Sequence, residues 1–111
     1  MKVSAKDNFV IVKDESKDID DFIFLLNPLM SSQFQDQNII IDFIESNDFT
    51  FNDLSKFKAV SNAHRALNKS FVIVSDALNP NELTEDMIVV PTLQEAEDLI
   101  EMEEIERELG F

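Results

Sequence analysis

The chain contains no cysteine. That rules out a disulfide, a thiolate nucleophile or a Cys-ligated zinc. It has one glycine, Gly110. Phosphate-cradling loops and dinucleotide fingerprints need several glycines, and a nucleophile elbow needs glycine neighbours, so these modes of binding and catalysis are excluded. His64 is the one histidine, so it has no histidine partner with which to hold a hydrolytic metal. It falls between Val60 and Leu67 on a helical stripe and reads as a core or boundary residue. Carboxylates are abundant, but none follows the calcium-loop pattern with its required glycine. Tryptophan and tyrosine are also missing. Ten phenylalanines are the whole aromatic content, which suits a core better than a ligand-stacking surface.

Cations are few: 9 Lys and Arg against 23 Asp and Glu give a net charge of −14. Such a surface repels phosphate backbones and anionic membranes, so neither nucleic acid nor membrane is an expected partner. It favours a protein partner with a basic patch; acidity that only maintains solubility accounts for the same charge. The opening residues MKVSAKDNFV lack the apolar stretch of a secretory signal, and the apolar runs are too short to span a bilayer. A cytoplasmic location is the default expectation, and no cofactor is implied.

A chain of 111 residues fits one domain spanning 1–111. Lys2–Ala5 reads as an edge strand and Asn8–Lys13 as a second, joined by a turn at Lys6-Asp7-Asn8. A helix opens at Asp18, with Asp21 at its third position, and carries Ile19, Phe22, Ile23, Leu26, Leu29 and Met30 at helical spacing. Pro28 predicts a kink or an early stop. Asn38–Ile44 holds a run of isoleucines suited to a strand buried on both faces. Thr50 and Asp53 approximate a capping box, flanked by Phe49 and Leu54 as a staple. The helix they open carries Leu54, Phe57, Val60, His64 and Leu67 as its apolar stripe, with Ala59, Ala63 and Ala66 expected to allow close approach to a sheet. Ser70–Ser75 is another buried strand. Asn79-Pro80-Asn81-Glu82 predicts a short helical turn, Met87–Val90 a short strand, and Thr92 with Glu95 a second capping box. The last helix runs towards Leu109, with Leu93, Ala96, Leu99, Ile100, Met102, Ile105 and Leu109 as its apolar positions. The order β-β-α-β-α-β-(α)-β-α predicts an α/β fold: an open, mixed and mostly parallel sheet packed with helices.

Three stretches carry a resemblance. NIIIDF is similar to an apolar strand ending in Asp-Leu, with Asp42 at the Asp. FTFNDLSKF is similar to a loop and helix start bearing Asp-Ser-Ser-Gly-Leu: Asp53 matches the Asp, Ser55 the second Ser and Phe57 the Leu, while Leu54 and Lys56 depart from the first Ser and the Gly. IVVPTLQEAEDLI is similar to a closing strand, a Pro-Thr-x-x-Glu-Ala turn and a last helix. Together they resemble the STAS family, the anti-sigma-factor-antagonist-like domains. The resemblance implies that fold and a non-catalytic, regulatory protein-interaction role. Some short acidic proteins of this kind carry the label ribonuclease Z, but the catalysis it implies needs an HxHxDH-type metal motif, which this sequence lacks.

The resemblance makes Ser55 the candidate phosphoacceptor, with Asn52, Asp53 and Lys56 around it as the contact surface. A phosphate there adds about −1.5 to −2 charge and would repel an acidic partner surface. In the plainer reading, Ser55 is only a first-turn helix residue. The alternative function is a constitutive accessory subunit or homodimer that uses the acidic C-terminal helix, with Ile105, Leu109 and Phe111 as partner-binding residues. The carboxylates of that helix, from Glu95 to Glu108, read either as a solvated face or as a sign that packing or a basic partner holds the helix.

Overall fold

The computed structural model describes residues 1–15, 18–79, 81, 83 and 87–110. Four-residue strands β1 (Lys2–Ala5) and β2 (Val10–Lys13) form an antiparallel pair. The turn between them is closed by the Lys6 amide on the Phe9 carbonyl. β3 (Ile39–Asp42), β4 (Phe71–Val74) and β5 (Val89–Val90) follow in parallel, so the sheet order is β1-β2-β3-β4-β5. Among the described residues the fold is α/β with a mixed five-stranded sheet and four helices, as the alternating pattern implies.

Side chains alternate across a strand, so each central strand supplies both faces of the sheet. On one face Val10, Val12, Ile39, Ile41, Phe71 and Ile73 meet the helices. These are α1 (Ile19–Met30), α2 (Phe51–Ser55) and α3 (Lys58–Arg65), which contribute Phe22, Leu26, Met30, Leu54, Phe57 and Val60. On the other face Phe9, Ile40, Val72 and Val74 meet Ala96 and Ile100 of α4 (Leu93–Glu108). Ile39, Ile40 and Ile41 are fully buried between neighbouring strands and two helical layers, as their apolar run predicts. The radius of gyration is 13.1 Å.

The helix starts follow their caps. Asp18 accepts from the Asp21 amide, and Thr92 accepts from the Glu95 amide. α1 ends two residues beyond Pro28. The proline cannot donate to the Phe24 carbonyl, and Phe24 lies on the solvent side of the helix. The helical turn predicted at Asn79–Glu82 rests on Pro80 and Glu82, which lie outside the described residues.

Three expectations need correction. The helix opened by Thr50 is two helices: after Ser55 the Lys56 and Phe57 amides bond three residues back, to Asp53 and Leu54, and the chain re-enters a helix at Lys58. α3 ends at Arg65, so Leu67 falls in the turn beyond it and is exposed, while Leu54, Phe57, Val60 and His64 are buried. Ala59, Ala63 and Ala66 face outward rather than towards the sheet. The apolar positions of α4 lie on two faces. Ala96 and Ile100 are buried, whereas Met102, Ile105 and Leu109 point away from the sheet.

Candidate functional site

α2 begins at a complete capping box. The Asp53 amide donates to the Thr50 hydroxyl at 3.2 Å, and the Thr50 amide donates to Asp53 Oδ2 at 3.0 Å. Phe49 and Leu54 are buried in the same cluster, and the Phe49 ring stacks on Phe43 with centroids 4.4 Å apart. Cap and staple together hold this five-residue helix against the sheet.

The candidate residues sit on or beside it. Asn52 and Ser55 are exposed. Ser55 is the last residue of α2, not the first turn of a long helix, and its hydroxyl donates to the Asn52 carbonyl at 2.7 Å. Asp53 is engaged in the cap. Lys56 reaches across to α1 and pairs with Asp20 at 3.2 Å. The four residues lie together, and the side chains of Asp53, Ser55 and Lys56 all have intramolecular partners.

Asp53 and Lys56 also line a cleft of about 420 Å³. It opens just beyond the carboxyl ends of β2 and β3, the end of an open α/β sheet where ligands characteristically bind. Asp14, Asp18, Asp20, Glu45 and Asp48 add to its acidic lining, with Ile19, Phe43 and Phe49 as its apolar part. Lys13 pairs with Glu45 at 2.9 Å. The bond raises the Lys13 ammonium above its usual range and lowers the Glu45 carboxyl. Among the described residues, no three carboxylate, histidine or cysteine side chains converge on a metal position. The cleft can attract a cationic group.

His64 is buried, and its Nε2–H donates to the Gln37 carbonyl at 2.6 Å. Burial lowers its pKa below the usual 6.5, against the opposing pull of that hydrogen bond. It is the core histidine that its stripe position suggests.

At the opposite end of the sheet lies a polar cluster that the sequence did not reveal. Asn38, just before β3, receives a bond from the Ser70 amide at 2.8 Å and donates to the Asn8 carbonyl at 3.0 Å and to Glu104 at 3.2 Å. Ser70 donates to Glu103 at 2.5 Å, and Arg65 pairs with the same carboxylate at 2.6 Å. Arg107 bonds Ser70, Asn38 and Glu104. The Arg107 bond is the main cause of a lowered Glu104 pKa. Glu103 and Glu104 thus pin α4 to the start of β3 and β4 and are not simply solvated. Their partners come from residues 38, 65 and 70, too distant in sequence for a spacing argument to link them.

Of the residues proposed on the C-terminal helix, Ile105 is 50% exposed and Leu109 66% exposed. Phe111 lies outside the described residues. No helix among the described residues is long and apolar enough to cross a membrane. Compared with known proteins, the chain matches no family model and no curated sequence.

Proposed function

We propose that the protein is a non-catalytic regulatory interaction module of STAS-like build, which docks another protein at the α2 surface with Ser55 as a phosphorylatable switch. The observation that carries this reading is the exposed Ser55 hydroxyl at the break between α2 and α3, beside an acidic cleft at the carboxyl end of the sheet. The mixed α/β sheet and its element order are compatible with the resemblance. Carboxylates around the cleft suit a partner whose basic patch approaches from that side.

A kinase can reach Ser55. A phosphate there competes with Asp20 for Lys56 and repels acidic partner groups that meet α2 outside the basic patch at the cleft, so the modified surface binds more weakly. The test is retention of a native partner on columns of wild type, Ser55→Ala and Ser55→Asp. The expected result is a protein held by the first two and lost from the third, with affinity at least about tenfold lower for Ser55→Asp, equivalent to about 1.4 kcal/mol. Equal retention on all three removes the switch. No specific retention on any removes the module.

A further inference from the structure

The acidic helix carries a second apolar face. Met102, Ile105 and Leu109 recur at i, i+3 and i+7 on the side of α4 away from Ala96 and Ile100, and are 58%, 50% and 66% exposed. That is the a, d, a spacing of a coiled-coil seam. In the same register Glu101 and Glu108 take g positions on one side of the seam, and Glu106 takes the e position on the other. All three are exposed. Upstream the seam positions are Glu95 and Asp98, so the apolar contact has three anchors, about 10 Å from end to end.

The molecule does not compensate the charge on one side of this seam. Arg107, the one cation of α4, turns inward to Asn38, Ser70 and Glu104. Glu106 shares a cleft with Arg65 and Lys69. Among the described residues, Glu101 and Glu108 have no hydrogen bond or ion pair. A second copy offers no basic helix to lay against them: α1 and α2 hold no Lys or Arg, and α3 holds Lys58 and Arg65, both with partners in the molecule. Pairing α4 with another α4 is opposed in both orientations. A parallel pair sets Glu101 of one copy against Glu106 of the other, and an antiparallel pair sets the g-position glutamates against one another. The face is also held in place for a partner, because Glu103 and Glu104 bond inward from the same turns, so binding has little helix to order.

We infer that this face of α4 binds a basic amphipathic helix of another protein, with apolar residues of that helix on Met102, Ile105 and Leu109 and Lys or Arg on Glu101 and Glu108. The two glutamates stand seven residues apart, about 10 Å along the axis, so the partner's cations recur at one heptad. Docking removes three apolar side chains from water. It also relieves the repulsion of Glu101 with Glu97, four residues before it. Charges at the e and g positions of such a seam set partner choice, so the apolar anchors hold the contact and the glutamates select a cationic partner. The inference does not depend on Ser55 or on the cleft beside α2.

The experiment is calorimetric titration of the full chain in physiological salt with three synthetic peptides of about three heptads each. One carries leucine at a and d and lysine at e and g. The second keeps that seam with glutamate at e and g, and the third is a scramble of the lysine peptide. The expected result is binding of the lysine peptide alone. Ile105→Lys is expected to lower that affinity at least about tenfold, with Leu109→Lys as its replacement if circular dichroism shows a folding defect. Glu101→Lys combined with Glu108→Lys is expected to lose the lysine peptide and gain the glutamate peptide. Asp7→Lys combined with Asp36→Lys changes the net charge equally at two exposed loop positions and is expected to retain the lysine peptide. No binding of the lysine peptide overturns the inference. So does equal binding of the scramble, equal weakening by the two double variants, or binding that survives Ile105→Lys. A wild-type mass above 12.7 kDa that Ile105→Lys returns to the monomer would assign the face to a second copy and overturn it as well.

Discussion

His64 and Ser55 lie one helix apart and respond to their surroundings in opposite ways. Ser55 meets solvent, so replacing it should leave folding nearly unchanged. His64 is enclosed, and burial holds its pKa below 6.5. Near and below pH 6.5 the unfolded chain therefore binds a proton that the folded chain resists. Stability from this residue is complete above pH 6.5 and falls as the pH drops towards the lowered folded value, by up to about 1.4 kcal/mol per pH unit. Urea midpoints between pH 7.5 and 5 should decline in wild type, and His64→Phe should decline less steeply over that window. Equal slopes would mean that other groups carry the acid sensitivity. Glu104 acts lower on the scale. Its lowered pKa makes its contribution complete above the ordinary carboxyl value of 4.5, lost as the pH falls through the lowered folded value.

At the scale of elements, the best-connected side chain is a neutral amide. Asn38 joins the turn before β2, the start of β3, the start of β4 and the last turns of α4 through four hydrogen-bonding partners. Asn38→Ala leaves the buried Ser70 amide without its acceptor, and removes bonds from Asn8, Glu104 and Arg107. A buried polar group stripped of its partner costs about 1–3 kcal/mol, and the expected loss in urea-denaturation stability is at least that. Hydrogen exchange should also quicken in the last two turns of α4, because the cluster that fastens them is gone. The cluster explains how a helix with so many glutamates stays in place: Ala96 and Ile100 hold its first half by burial, and Glu103 and Glu104 hold its second half by bonding.

For the whole molecule, the central strand joins two cores that have no direct need of each other. Ile39 and Ile41 face the α1–α3 layer and Ile40 faces α4. Ile40→Ala should cost about 2–5 kcal/mol, the range for truncating a fully buried aliphatic side chain. Its cavity opens on the α4 side. Calorimetry of the variant should show a lower midpoint, and exchange protection should fall first in α4.

Much of this architecture can be read from the chain. The isoleucine run before Asp42, the caps at Asp18, Thr50 and Thr92, and the strand–helix alternation specify an α/β sheet, because burial, caps and periodicity are local properties. Ser55 enters as a candidate only through the resemblance of FTFNDLSKF, and its position at the end of a five-residue helix was not legible in the sequence. Three features required the tertiary structure. One is the break after Ser55, where the amides of Lys56 and Phe57 bond three residues back, and with it the outward set of Ala59 and Ala63, because which flank of the stripe meets the sheet depends on how α3 packs and not on its periodicity. Another is the division of α4 into two faces. Apolar periodicity shows that residues are apolar, but not whether a sheet long enough to cover them lies beneath. The last is the cluster of Asn38, Arg65, Ser70, Glu103, Glu104 and Arg107: hydrogen bonds between distant segments depend on where the crossovers set the strand ends, and no spacing along a single chain records that.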